Sequence, residues 1–303
     1  MSALELRYPV FTLDRQILFP AGTDLSEVAI QELLRSRGQA PAQEKYSLLR
    51  YGSVEKDIRA FLVDPPYGTI FSGAEYIDLV LSMMEMVRFI PPVFESLDYF
   101  RQHDFHTYRH ILMVFALSTL LAEDLLPDAE SRILLAETGP THDIGKICVP
   151  LPVLKKTSPL TRKEKTAVEH HALAGFVLLC FYGTDDRNIA ATVARDHHER
   201  KNASGYPRAI RLADPLVEII AACDVYDALI SPRPYRSATY DNRTALEEIT
   251  EMAERGEIGW DVVKALVAYN RSEKHHFSEQ KVSEEKRGTP PPGNVHGLVA
   301  DEE

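Results

Sequence analysis

The sequence predicts an all-α helical bundle preceded by a small α+β module. Two patterns carry this. From residue 75 to residue 269 apolar side chains recur at helical spacing, with no alternating β pattern between them. Residues 8–19, by contrast, alternate as a hairpin does. A third observation separates the halves: of 11 histidines none lies in residues 1–102, eight fall between His103 and His198, and three lie in the tail. One half of the chain therefore carries metal or acid–base chemistry and the other does not. With 303 residues, 45% hydrophobic and 26% charged, the chain has ordinary globular composition and enough length for a sizeable core.

The elements follow in order. Residues 4–23 read as the hairpin, with Tyr8, Val10 and Thr12 alternating, a turn at Asp14-Arg15, then Ile17 and Phe19. A helix is expected from Asp24, apolar at Val28, Ile30, Leu33 and Leu34, with a stop at Gly38. Residues 48–63 fit either short strands or a helix. From Glu75 the pattern is helical: 75–89, 92–101, 107–126, 129–138, 161–181, 187–199, 215–230, 243–255 and 261–269. After Asn270 the chain turns polar, with Pro290 to Pro292 and a closing Asp-Glu-Glu, and is expected to be disordered. We divide the chain into an N-terminal module of open role (1–70), a helical connector (71–102), a catalytic domain (103–270) and a tail (271–303). Met83, Met84 and Met86 in the connector either form a homodimer face or pack into the core.

Several functions are excluded early. A net charge of −11 argues against sequence-independent binding to nucleic acid or to an anionic membrane. An anionic substrate would need a local reversal of that field, which a metal cluster supplies. The longest apolar run, 111–117 and its continuation to Ala122, is well short of the roughly 20 residues a membrane span needs. The start, MSALELRYPVF, lacks a basic region followed by an apolar one, so a cytoplasmic protein is expected. Cys148, Cys180 and Cys223 lie far apart in apolar surroundings and read as reduced, buried thiols.

The chemistry concentrates in a few short patterns. In Thr141-His142-Asp143-Ile144-Gly145-Lys146, adjacent His and Asp lie about 100° apart on a regular helix. Near a helix end both can reach one ion, and the aspartate can bridge two; alone, the pair can equally be a cap beside a core histidine. His106 and His110, spaced i, i+4, share a helical face and can ligate metal or form a partly buried polar stripe. Of His170 and His171 only one can point inward. His197-His198-Glu199 ends a helix. Asp224 and Asp227 follow an apolar run, where a carboxylate needs an ion or a basic partner. Imidazole and carboxylate without thiolate suit Fe, Mn, Zn or Ni. Two metals about 3.5–4 Å apart are a device for attacking a phosphodiester.

These motifs resemble the HD-GYP family of bacterial cyclic di-GMP phosphodiesterases, within the HD metal-phosphohydrolase superfamily. HDIGK, then HHE, then Gly205-Tyr206-Pro207, then DVYDA (224–228), then Arg233-Pro234-Tyr235-Arg236 carry the resemblance. Val149-Pro150, Lys156 with Leu160-Thr161, and the spacing of His171 to Gly175 agree with it. The match runs from about His106 to Tyr269.

The resemblance implies an HD-type bundle and metal ligands at His110, His142, Asp143, His171, His197, His198 and Asp224. One ion would be held by His110, His142, Asp143 and Asp224. Asp143 would bridge to a second held by His171, His197 and His198. It further implies Lys146 on the substrate phosphate, Arg233 and Arg236 near the substrate, and Gly205, Tyr206 and Pro207 bordering the pocket. The implied reaction is attack by a hydroxide bridging two divalent ions, iron first and manganese as the alternative, giving pGpG, with pGpG and GMP both open as the end product. Two departures stand out. The family's Asp-Gly before GYP is Asn202-Ala203 here, and Ala lacks glycine's freedom at positive φ. His106 occupies a position where some members with a third metal have glutamate. Two other readings stay open: a protein that binds metal and cyclic di-GMP but turns over little, and an HD hydrolase of another nucleotide.

Overall fold

The computed structural model describes residues 4–36, 44–232, 238–283, 285–291 and 300. The chain opens with the expected antiparallel hairpin, β1 (Val10–Phe11) on β2 (Ile17–Phe19). Thr12 closes its turn by accepting from the Gln16 amide at 3.0 Å on Oγ1. Helix α1 (Glu27–Ser36) follows; the expected stop at Gly38 lies outside the described residues. After β3 (Tyr46–Ser47) comes α2 (Val54–Val63). The ambiguous stretch 48–63 is thus helical only in its second part, where Val54, Ile58 and Leu62 recur four apart and are buried.

Helix α3 (Ala74–Met86) gives way to a short strand, β4 (Arg88–Phe89), which pairs antiparallel with β3. This corrects the reading of an unbroken helical region from Glu75. The physical cause lies just ahead. Pro91 disfavours helical backbone at Ile90, which is extended, and the chain re-enters a helix, α4 (Pro91–His103), only after it. Asp104 then stops α4 and caps α5 (Phe105–Leu125), its Oδ2 accepting from Thr107 Oγ1 at 2.7 Å. From Tyr108 to Ala122 α5 is buried on nearly every side, as an element at the centre of a bundle must be.

Helix α6 (Ala129–Thr138) runs into two 3-10 turns, Gly139–Thr141 and Ile144–Cys148. Then come α7 (Leu151–Leu154), α8 (Arg162–Glu169), α9 (His171–Gly183) and α10 (Ile189–Asp196). The single helix expected over 161–181 is therefore two. The break at His170 falls where the 144–148 turn packs onto the chain, since a Cβ on Gly145 would sit 1.9 Å from the His171 carbonyl oxygen. Helices α11 (Pro215–Ile230), α12 (Asn242–Glu254) and α13 (Trp260–Asn270) complete the bundle.

α4, α6, α11 and α13 pack around α5, and the apolar core is continuous from Leu6 to Tyr269. Met83 and Met84 belong to this core, whereas Met86 is 53% exposed. Beyond Asn270, in the stretch expected to be disordered, a 3-10 turn (Phe277–Glu279) packs on α13 and Gln280 is buried. The three cysteines are buried and unpaired with one another. Among the described residues no helix is long and apolar enough to cross a membrane.

Candidate metal centre

Five elements deliver the ligand-type residues. His110 comes from the second turn of α5, His142 and Asp143 from the turn after α6, and His171 from the first residue of α9. His197 and His198 follow α10, and Asp224 projects from the middle of α11. The 142–146 turn reaches the others because Gly145 lets its backbone touch α9. Besides the clash at His171, a Cβ there would lie 2.4 Å from the Gly175 amide nitrogen. That contact gives a physical reason for the glycine of HDIGK.

Two groups of three result. His110, His142 and Asp224 form one; His171, His197 and His198 form the other, with ligating atoms within 4.8 Å of one another in each. Asp143 stands between them. Its Oδ2 lies 3.5 Å from the Nε2 atoms of both His110 and His142, and its Oδ1 lies 3.4 Å from His171 Nε2. Each carboxylate oxygen therefore faces one group, the disposition a bridging ligand requires.

The imidazoles are oriented from behind. His142 Nδ1 lies 2.7 Å from the Gly139 carbonyl, His171 Nδ1 2.6 Å from that of Val168, and His197 Nδ1 3.0 Å from that of Ala194. His110 Nδ1 lies 2.6 Å from Asp227 Oδ2. Acceptors on Nδ1 assign the proton to that atom and leave the Nε2 lone pair directed inward. Burial lowers the pKa values of His171 and His197 to about 4 and shifts those of His142 and His198 in the same direction. The inward nitrogens of these four rings are thus neutral electron-pair donors near pH 7.

Without a cation such a cluster is poorly satisfied. His142 Nε2 is buried with no hydrogen-bond partner, and His171 Nε2 has the Nε2 atoms of His197 and His198 at 3.3 and 3.1 Å. Burial acts to raise the Asp143 and Asp224 carboxyls. Lys146 at Asp143 and His110 at Asp224 more than offset it, holding both well below the usual carboxylate range. Neutral imidazoles and ionised carboxylates converging in a buried space fit a divalent ion.

The centre opens into a cavity of about 660 Å³, lined among others by Lys146, Lys156, Lys165, Arg200 and Tyr206. Asp104, Glu169 and Asp224 share this lining, and Lys146, Lys156 and Lys165 pair with Asp143, Glu164 and Glu169, so acidic and basic groups are interspersed along the cavity. Lys146 Nζ lies 2.5 Å from Asp143 Oδ2. Tyr206 stacks on His198 with ring centroids 4.4 Å apart. Gly205 admits no side chain, because a Cβ would lie 2.2 Å from the His198 carbonyl oxygen. Pro207 follows a cis bond from Tyr206. Ala203 takes φ 64°, the left-handed conformation that its family counterpart, glycine, adopts without cost. Asn202 accepts from the Ser204 amide at 3.1 Å.

His106 belongs to neither group. It is exposed on the cavity rim with Nδ1 3.1 Å from the Pro232 carbonyl. One helical turn before His110, it is carried outward along α5 instead of into the cluster. Arg233 and Arg236 lie outside the described residues.

Three further residues support the site. Asp227 is three residues from Asp224 on the same face of α11 and is fully buried against His110; its place in an apolar run was the available signal. Glu199, the last residue of HHE, is also fully buried and accepts from the Arg208 and Ile210 amides at 2.7 and 3.0 Å, shaping the 205–207 loop. Tyr67, whose hydroxyl reaches Asp227, carried no sequence signal.

Residues 97–262 match the HD domain family model. The chain is 33% identical over 260 residues to a cyclic di-GMP phosphodiesterase of Pseudomonas aeruginosa, covering 83% of this chain and 58% of that protein. To a cyclic di-GMP phosphodiesterase of Thermotoga maritima it is 29% identical over 223 residues, covering 72% and 55%. To a 3'3'-cGAMP-specific phosphodiesterase of Vibrio cholerae it is 35% identical over 135 residues, covering 44% and 31%. The chain thus spans less than two thirds of the length of each of these relatives.

Proposed function

The chain belongs to the HD domain family, in its HD-GYP branch, and on that premise we propose that it is a metal-dependent phosphodiesterase opening cyclic di-GMP to pGpG, with GMP as the further product. One observation carries the reading. Two groups of three ligand-type residues flank Asp143, each facing one of its carboxylate oxygens, at the floor of a cavity that Lys146 also lines. The names of the Pseudomonas and Thermotoga relatives support cyclic di-GMP as the substrate.

In this reading His110, His142, Asp143 and Asp224 would hold one ion, and Asp143 with His171, His197 and His198 a second. We take iron as the first expectation and manganese as the alternative. The ions would supply a water-derived nucleophile at neutral pH and offset charge on the phosphoryl oxygens. The protein's own residues bind and orient. Lys146 offers its ammonium to a non-bridging phosphate oxygen. Gly205, Tyr206 and Pro207 border the substrate, with the Tyr206 ring held against His198. Arg233 and Arg236 are assigned to the substrate by their motif alone. Residues 103–270 form the catalytic domain, and the preceding modules support it. A homodimer through residues 71–102 would use Met86, since Met83 and Met84 are buried.

The test is anaerobic purification with metal analysis, then product chromatography after adding cyclic di-GMP, with 3'3'-cGAMP in parallel. We expect about two ions per chain and pGpG formed from cyclic di-GMP, lost on chelation and restored by Fe(II) or Mn(II). Binding of cyclic di-GMP with metal present but no product would replace this reading with that of a signalling receptor. Faster turnover of 3'3'-cGAMP would reassign the substrate.

A further inference from the structure

Tyr67 lies outside the region that matches the HD domain model, yet its side chain ends behind a ligand of the metal centre. The residue is fully buried. Its hydroxyl donates to Asp227 Oδ1 and lies 2.8 Å from Ser231 Oγ, which donates to the same oxygen at 3.1 Å. The other carboxylate oxygen, Asp227 Oδ2, lies 2.6 Å from His110 Nδ1. Arg109, the neighbour of His110, covers the Tyr67 ring at 5.0 Å and donates to Ser231 Oγ at 3.1 Å. Asn242 pins the segment from the far side, its Nδ2 donating to the Pro66 carbonyl at 3.0 Å.

A carboxylate behind a ligating imidazole fixes its tautomer, its orientation and its basicity. The terminal torsion of aspartate is soft, so that carboxylate works only if its remaining oxygen is held. We propose that Tyr67, together with Ser231, is a positioning residue for metal binding. By holding Asp227 Oδ1 it keeps Asp227 Oδ2 on His110 Nδ1 and the His110 Nε2 lone pair on the ion. The segment between α2 and α3 is then an integral part of the metal centre. The inference rests on the metal-dependent reading above.

The test is Mn(II) titration of the metal-free full chain, reading free Mn(II) by electron paramagnetic resonance. Tyr67→Phe keeps the ring and its contact with Arg109 and removes only the hydroxyl. We expect its Mn(II) affinity to fall about 3- to 10-fold, below the 10- to 100-fold typical of a direct outer-sphere partner, with the near-ultraviolet circular dichroism retained. Tyr51→Phe, which removes a hydroxyl bonded to Asp98, should leave affinity unchanged. Added to Asp227→Asn, Tyr67→Phe should cause no further loss. Wild-type affinity in Tyr67→Phe, or an equal loss in both backgrounds, would overturn the inference. If Tyr67→Phe does not fold, Ser231→Ala removes the other hydroxyl from the same oxygen and is read by the same outcomes. Wild-type protein that binds no Mn(II) or Fe(II) overturns the metal reading as well; wild-type binding with an unchanged variant overturns this inference alone.

Discussion

Two roles compete for one ammonium group at Lys146. Its Nζ sits 2.5 Å from Asp143 Oδ2, and the side chain also faces the cavity. If phosphate contact is its task, Lys146→Ala keeps metal and loses catalytic efficiency, about 10²-fold by analogy with a lost transition-state donor. Metal analysis beside kcat/KM decides this; metal loss equal to that of His142→Ala would contradict it. Ala203 poses a different question. Left-handed backbone costs an L-residue roughly 1–2 kcal/mol, while glycine adds roughly 0.4–1 kcal/mol of unfolded-state entropy to be lost. Ala203→Gly should therefore stabilise the protein by about 0.5 kcal/mol in urea unfolding. Destabilisation would show that the methyl group packs usefully.

One crossing of elements decides whether the two ligand groups meet. The 144–148 turn lies directly on α9, with Gly145 against the His171 carbonyl and Gly175 against Ala194. A methyl group at Gly145 would meet backbone on α9, which cannot move as a flexible side chain can. Gly145→Ala should cost about 3 kcal/mol, the upper end for overpacking. It should also lower metal content, because Asp143 would draw away from His171. Urea midpoints and metal analysis on one preparation check both, and normal metal content in a destabilised variant would refute the link. On α11 the spacing of Asp224 and Asp227 does comparable work. Residues three apart share a face, so one carboxylate joins a ligand group while the other backs His110.

For the molecule as a whole, the metal centre ties stability to pH and to metal. His171 and His197 titrate near pH 4 in the folded chain, against an ordinary value of 6.5, because burial disfavours the charged ring. Between those values the unfolded chain holds more protons. Stability of the metal-free protein should therefore be full above pH 6.5 and decline as pH falls toward 4, by at most roughly 3 kcal/mol per imidazole. Urea unfolding at pH 7 and pH 5 with chelator present measures it, and equal stability at the two would contradict the burial of neutral rings. A divalent ion bound only by the folded chain adds about 2.7 kcal/mol at one hundred times its Kd, so its removal should lower the Tm.

The sequence by itself determined the helical class, the family and the identity of the ligand-type residues, because each is local. Apolar spacing reports a buried helical face, and HDIGK, HHE and DVYDA are short patterns whose residue types state their chemistry. The division of six ligand-type residues into two groups around Asp143 comes from the family resemblance and not from the residues alone; the tertiary structure supplies its geometry, since that depends on five elements meeting. The same dependence placed His106 on the rim, where distance along α5 outweighs a shared face, and inserted β4, whose partner β3 lies some forty residues earlier. Tyr67 was illegible for the strongest reason: its meaning is a contact with Asp227 across 160 residues, and no pattern along the chain records a hydroxyl's distant acceptor.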